Sequence, residues 1–412
     1  MATILVEHIA KLVQVREGAV RWVAGAAMGE LPCVDDAYLL VEDGRFKQWG
    51  PLAEAPQAGV DARVDARGGM VFPAFCDSHT HLVYAGSREI EYIDKIRGLS
   101  YEEIAQRGGG ILNSAGRLHA TSEEQLYEDA LARVLEIAHG GTGAVEIKSG
   151  YGLNTEDELK MLRVIRRLKE CAPVTVRATF LGAHAVPLEY KGRQSEYVDL
   201  IINEMIPVVA GEGLADYVDV FCDRGFFTVE DTERILTQGM KYGLRAKIHA
   251  NELAASGGIQ VGVKYNALSV DHLEYTGEAE MASLLHSETM PTLLPGAAFF
   301  LGMPWAPARQ MMEYGLPLAL ASDYNPGSSP SGSMKFVVSL GCIKLRMTPE
   351  EAINATTLNT AYAMGLDGTH GAIYRGAPAN FFITVPMPSY EYFPYAYTAT
   401  LVDRVFHEGQ EI

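Results

Sequence analysis

From Val71 to Ala321 the chain alternates eight short apolar runs with longer amphipathic stretches. The runs are Val71–Cys76, Ala144–Ile147, Val174–Leu181, Tyr217–Phe221, Ala246–Ile248, Leu268–Val270, Met290–Leu294 and Leu318–Ala321. Between them, Thr155–Glu170, Ser195–Glu212, Val229–Tyr242, Thr276–His286 and Ala308–Tyr314 carry the helical apolar period. A strand covered on both faces reads as a continuous apolar run, which suits a parallel sheet wrapped by helices. Eight strand–helix repeats therefore predict an α/β fold, a (β/α)8 TIM-like barrel. The flanks follow another rule. Residues 1–68 read as short strands at Ile4–Val6, Arg21–Ala24, Tyr38–Glu42 and Phe46–Trp49, with Asp43-Gly44 as a hairpin turn. Short strands return at Phe381–Val385 and Leu401–Phe406. The two chain ends are thus expected to pair into a small β-sandwich domain, residues 1–68 plus 371–412, beside a barrel over residues 69–370.

Composition excludes several classes. Acidic residues outnumber basic ones 52 to 34, for a net charge of −18, which repels a nucleic-acid backbone. The five cysteines, Cys33, Cys76, Cys171, Cys222 and Cys342, are odd in number and form no Cys-x-x-Cys pair, so they read as small buried apolar residues. The beginning of the chain lacks the pattern of a secretory signal, and no run approaches the roughly 20 apolar residues of a membrane span. A reducing cytoplasm is the expected location.

In a parallel barrel the reactive groups sit where strands give way to loops. The polar residues at these ends are Asp77, His79 and His81; Glu146, Lys148 and Tyr151; His184; His249 and Glu252; Asp271 and His272; and Asp323, Asn325, Gly327 and Ser328. Five of the eleven histidines fall there. His79 and His81 are two apart, so on a strand both imidazoles reach one side. A lone His-x-His is more often an ordinary packed pair. With His249 and Asp323 at other strand ends, a metal site becomes the better reading. Three imidazoles and a carboxylate suit zinc or ferrous iron rather than magnesium or calcium.

The stretch Phe72-Pro73-Ala74-Phe75-Cys76-Asp77-Ser78-His79-Thr80-His81 resembles the opening metal motif of the amidohydrolase superfamily. Further segments are similar to one branch of it, the enzymes of histidine degradation that open 4-imidazolone-5-propanoate. They include Ala85–Glu89, Gly108–Ile111, Glu146–Leu153, Phe180–Pro187, Lys247–Glu252, Val270–Leu273, Leu293–Gly296 and Asp323–Pro330, and together they span most of the chain. The Lys148-Ser149-Gly150-Tyr151 and Asn325-Pro326-Gly327-Ser328 runs are the specific ones.

The resemblance implies a single divalent ion, zinc or iron, on His79, His81, His249 and Asp323. It implies catalytic roles for Glu252, His272 and Asp323. It places Arg88, Tyr151, His184, Glu252 and Ser328 against the substrate, and Asn325 and Gly327 against the amino-acid portion of the product. It also implies a homodimer acting on a small molecule, with no nucleic-acid or membrane partner. These roles are chemically coherent. A bound ion acidifies water, Glu252 can accept a proton, His272 can polarise a carbonyl, and the Arg88 fork matches a carboxylate. Lys148 reads as an ordinary supporting lysine rather than a carboxylated metal bridge. Gly108-Gly109-Gly110 reads as a loop closing over substrate, since no Gly-Lys-Ser/Thr follows it. Two rival readings are a deaminase of a cytosine- or guanine-like ring and a silent binding protein. The first fits Arg88, Tyr151 and the Asn325–Ser328 loop less well. The second normally goes with lost ligands, and none is lost here.

Overall fold

A computed structural model describes residues 3–99, 103 and 109–412, so Gly108 of the glycine run lies outside the described residues. The chain begins with β1 (Thr3–Val13), β2 (Cys33–Glu42), β3 (Arg45–Pro51), β4 (Ala62–Asp65) and β5 (Met70–Pro73). Eight parallel strands follow: β6 (Phe75–Thr80), β7 (Thr142–Lys148), β8 (Thr175–Ala183), β9 (Tyr217–Cys222), β10 (Arg245–Ala250), β11 (Ser269–His272), β12 (Met290–Leu293) and β13 (Ala319–Leu320). The chain ends with β14 (Phe381–Thr384), β15 (Val402–His407) and β16 (Gln410–Glu411).

β6 to β13 pair in sequential order, as the eight runs predict. The barrel is nearly closed. Between β13 and β6 the ladder shrinks to a bridge at Thr80 and Tyr324, with Asp323 N donating to His79 O at 3.0 Å and His81 N to Tyr324 O at 2.9 Å. Asp77 reinforces this seam: its carboxylate accepts from Ser322 N at 3.0 Å and Ser322 Oγ at 2.5 Å. A side chain thus supplies bonds that the two-residue β13 is too short to make.

The chain ends share a separate mixed sheet, in the order β16-β15-β14-β5-β1-β2-β3, with β4 also on β1. β1 and β2 pair antiparallel from Thr3↔Glu42 to Val13↔Cys33. Asp43 and Gly44 turn the β2–β3 hairpin with φ of +50° and +73°, the left-handed values a two-residue turn needs. Two expectations about the strands change. The run Val71–Cys76 is divided: β5 pairs with β14 in the end sheet, whereas β6 pairs with β7 in the barrel. Pro73 has no N–H to continue a ladder, and Ala74 N donates to Asn380 O at 2.9 Å. Phe72, Phe75, Phe382 and Phe393 stack across this crossing at centroid distances of 5.1–6.1 Å, joining the sheet to the barrel. Arg21–Ala24 is not a strand. Its backbone is satisfied by a side chain: Val23 N donates to Asn359 Oδ1 and Asn359 Nδ2 to Val23 O, both at 2.9 Å.

Helices begin where short polar side chains cap them. Asn154 Oδ1 accepts from Asp157 N at the start of Thr155–Cys171, and Thr228 forms a capping box with Asp231 before Val229–Lys241. The stretch expected as one helix over Ser195–Glu212 runs as Gln194–Leu200 and Ile206–Gly211 with a π-helical turn, Ile201–Met205, between them. No helix among the described residues is long and apolar enough to cross a membrane.

Asn359 also donates to Leu318 O at 2.8 Å. Asn359→Ala is therefore expected to strand buried backbone groups and destabilise the protein by about 2–3 kcal/mol. Urea unfolding checks this, and an unchanged midpoint would contradict it.

Candidate metal centre and active site

The strand ends bring the predicted ligands together in overlapping groups: His79, His81 and Asp323 could share one ion, as could His79, His249 and His272, or His81, His184 and His249. His79 Nε2 and His81 Nε2 are 3.3 Å apart, and His81 Nε2 and His249 Nε2 are also 3.3 Å apart. Asp323 Oδ1 lies 3.6 Å from His79 Nε2 and 3.7 Å from His81 Nε2. The ring nitrogens cannot all be bonding to each other. His79 Nδ1 donates to Asp271 Oδ2 at 2.7 Å, and His249 Nδ1 is 2.9 Å from Asp219 Oδ2. A neutral imidazole bonded through Nδ1–H presents a lone pair at Nε2. Burial, then the neighbouring positive groups, holds His79 and His81 well below the usual histidine range and hence in the neutral, ligating form. Buried lone pairs facing one another repel unless a cation lies between them. Tetrahedral metal–nitrogen bonds of about 2.0–2.1 Å place ligand atoms roughly 3.3 Å apart. The donor set and its spacing therefore fit a small divalent ion.

Glu252 and His272 flank this cluster. Burial pushes the Glu252 carboxyl up to about 7. His272 sits between two carboxylates, with Nε2 3.6 Å from Glu252 Oε2 and Nδ1 3.9 Å from Glu274 Oε2. Burial opposes its charge, but Glu252, Glu274 and Asp323 outweigh that and push it up to about 10. His272 and Leu273 have φ of +87° and +71°, a conformation costly for side-chain-bearing residues, and one that concentrates at functional sites.

His184 completes the wall. Its Nδ1 donates to Gly150 O at 2.9 Å, its ring stacks on His81 at a centroid distance of 5.0 Å, and burial pushes its pKa down to about 3. The Tyr151 ring lies 6.0 Å from His81 and 5.4 Å from His184. Its loop is shaped by the buried Glu158 carboxylate, which accepts from the backbone N–H groups of Gly150, Gly152 and Leu153. Arg88 is nearly buried at the head of the helix Glu89–Ile96, and Nε donates to Glu91 Oε2 at 2.8 Å. That bond leaves the terminal guanidinium nitrogens, which lie against Gly327, without a protein acceptor among the described residues.

The Asn325–Ser328 loop is largely self-bonded. Asn325 Oδ1 accepts from the backbone N–H groups of Gly327 and Ser328 at 2.8 Å each, and Nδ2 donates to Asp323 O at 2.7 Å and Ser328 Oγ at 2.6 Å. Ser328 Oγ in turn donates to Asp323 Oδ2 at 3.2 Å. The Asn325 carboxamide thus holds the loop and, through Ser328, orients Asp323.

Sequence reasoning did not single out Asp219, Glu274, Glu91 or Lys247. A signal was present for two of them: Asp219 is a charge inside an otherwise apolar strand, and Lys247, between Ala246 and Ile248, shares the inward parity of His249. Glu274 and Glu91 lie on loop and helix, where no period marks them.

A buried cluster of imidazoles and a carboxylate at the loop end of a parallel barrel defines a metal-dependent hydrolase of the amidohydrolase class. The Amidohydrolase family profile matches residues 70–411. The chain is 53% identical over 408 residues to the imidazolonepropionase of Flavobacterium johnsoniae, covering 99% of each chain. It is 52% identical over 410 residues to that of Christiangramia forsetii, covering 100% of each. Its fold is similar to atrazine chlorohydrolase TrzN from Arthrobacter aurescens TC1, solved with zinc, at a TM-score of 0.74 and 14% identity, over 99% of this chain and 94% of that one. The chain belongs to the amidohydrolase family and, within it, to the imidazolonepropionases.

A Cβ built on Gly327 would lie 2.0 Å from Arg88 Nη1 and 2.4 Å from Cζ. Gly327→Ala is expected to push the guanidinium aside at a cost of about 1–3 kcal/mol. A crystal structure of the variant with Arg88 unmoved would contradict this packing.

Proposed function

We propose that the chain hydrolyses the cyclic amide of 4-imidazolone-5-propanoate, giving N-formimidoyl-L-glutamate. One observation carries the chemistry: in a chain of this family, His81 Nε2 lies 3.3 Å from both His79 Nε2 and His249 Nε2, and Asp323 Oδ1 lies 3.6–3.7 Å from His79 and His81, beside Glu252 and His272. His79, His81, His249 and Asp323 would hold the divalent ion. When bound, it acidifies water and polarises a carbonyl, as a Lewis acid.

The residues then divide the work. Glu252, ionised, receives the proton of the attacking water and returns it to the departing ring nitrogen as the C–N bond breaks. His272, charged, donates to the carbonyl oxygen as negative charge grows there. Asp323 would be a ligand through Oδ1, while its Oδ2 is engaged by the hydroxyl of Ser328. The open terminal nitrogens of Arg88 bind the propanoate carboxylate as a planar fork. Tyr151 and His184 form the wall against which the ring lies, while Asn325 and Gly327 shape the loop that meets the amino-acid portion. On this reading the ion is zinc or iron, the enzyme a homodimer and its location the cytoplasm. All five cysteines are free thiols, which suits a reducing compartment. Residues 1–68 with 371–412, and 69–370, are proposed as its two domains.

Incubating purified, metal-loaded protein with freshly prepared 4-imidazolone-5-propanoate tests the activity. Formation of N-formimidoyl-L-glutamate is expected, and substrate loss no faster than in a metal-free control would refute it. Glu252→Gln is expected to keep its metal while kcat falls about 10²- to 10⁴-fold. Because Glu252 acts as a base only when ionised, and its carboxyl is pushed up to about 7, kcat/KM should fall as pH drops through or below neutrality. The residual rate of Glu252→Gln should lack that limb, and a limb shared by both proteins would assign it elsewhere. Arg88→Ala removes a charged hydrogen-bonding partner, so KM should rise about 10- to 100-fold with a smaller change in kcat. An unchanged KM would place the carboxylate elsewhere.

A further inference from the structure

Beneath the histidines the barrel interior is charged. Such interiors are usually filled by branched apolar side chains, and buried ion pairs are poor substitutes for them in stability. Yet Lys148, Lys247, Glu146, Asp219 and Asp271 are all buried there. Lys247 Nζ pairs with Glu146 Oε2 and donates to Ser78 O at 2.9 Å and Ala363 O at 3.2 Å. Lys148 Nζ pairs with Glu146 Oε1 at 2.7 Å, lies 2.9 Å from Asp219 Oδ2 and is 3.8 Å from Asp271 Oδ2. Those two aspartate oxygens are the same ones that face His249 Nδ1 and His79 Nδ1. The opposite oxygens are also held: Asp271 Oδ1 accepts from Ser269 Oγ at 2.5 Å, and Asp219 Oδ1 from His249 N at 3.1 Å.

We infer that Lys148 is a positioning residue for the metal centre: one ammonium orients both carboxylates that set the ring plane and tautomer of His79 and His249. Carboxylates behind ligating histidines normally do this singly; here a single cation couples two of them. Lys247, equally buried, forms no ion pair with Asp219 or Asp271, although its charge also acts on Asp271 through space; its direct partners are Glu146 and the barrel-wall carbonyls. The surplus of carboxylates over lysines also leaves negative charge directly under the point where the ligand atoms converge. This inference rests on the reading of His79, His81, His249 and Asp323 as ligands.

Zinc affinity, measured by chelator competition, separates the two lysines. Lys148→Met is expected to bind zinc about 10- to 100-fold more weakly, and its cobalt(II)-substituted form to show a shifted visible absorption band. Lys247→Met is expected to stay within about 3-fold of wild type in affinity while unfolding at lower temperature. Wild-type affinity in Lys148→Met, or equal losses in the two variants, would overturn the inference. Should Lys148→Met fail to fold, Lys148→Gln, which keeps a donor but not the charge, is expected to weaken zinc binding, and wild-type affinity there would overturn it. A wild-type protein that takes up no zinc or cobalt would instead strike at the ligand reading itself.

Discussion

Three imidazole nitrogens are held within 3.3 Å steps of one another in the dry interior of a barrel, with a carboxylate completing the group. Lone pairs at that spacing repel, and low dielectric strengthens the repulsion. A positive charge at the centre would relieve that repulsion. The same residues also lie at the weakest seam of the barrel, because the β6–β13 closure runs through His79, His81, Asp323 and Tyr324. An ion bound there would join ligands from both sides of that seam.

Around that point the protein fixes orientation by hydrogen bonding rather than by bulk. Asp271 and Asp219 set two of the histidines, the Asn325–Ser328 chain sets Asp323, and Glu91 sets Arg88. Glu91 also accepts from Gly110 N at 3.0 Å and Asn113 Nδ2 at 2.7 Å, tying Arg88 to the start of the helix Ile111–His119. Strained backbone gathers at the same level: Leu153, Asn251, His272, Leu273 and Asp323 all have positive φ just at or beyond strand ends. Bends of this kind turn side chains over the mouth of the barrel instead of continuing the ladder.

Much of this was legible in the sequence, for physical reasons. Buried parallel strands must be apolar and short, so the eight runs stood out and each overlaps a barrel or adjoining strand. Reactive residues cluster where those runs end, so His79, His81, His184, His249, Glu252, His272 and Asp323 were found together. What was hidden depends on tertiary partners. Val71–Cys76 looks like one strand because Pro73 does not interrupt apolarity, only hydrogen bonding. Arg21–Ala24 is extended, but its partner is the amide of Asn359, more than 300 residues away, rather than a strand. Of the ionic layer under the histidines, Glu146, Lys148 and Asp271 stood out at run ends, but their pairing with Asp219 and Lys247 was hidden because it depends on tertiary contacts. The Asn325 carboxamide bonds the backbone of its own loop, the turn that an Asn-Pro-Gly run favours, while its link through Ser328 to Asp323 depends on the fold.

Elemental analysis of protein purified without chelator, on wild type and His249→Ala together, tests the metal centre most directly. One equivalent of divalent metal per chain is expected in wild type and almost none in His249→Ala, with the fold retained in both. Two equivalents per wild-type chain, or unchanged metal content in His249→Ala, would contradict a single ion held by His79, His81, His249 and Asp323.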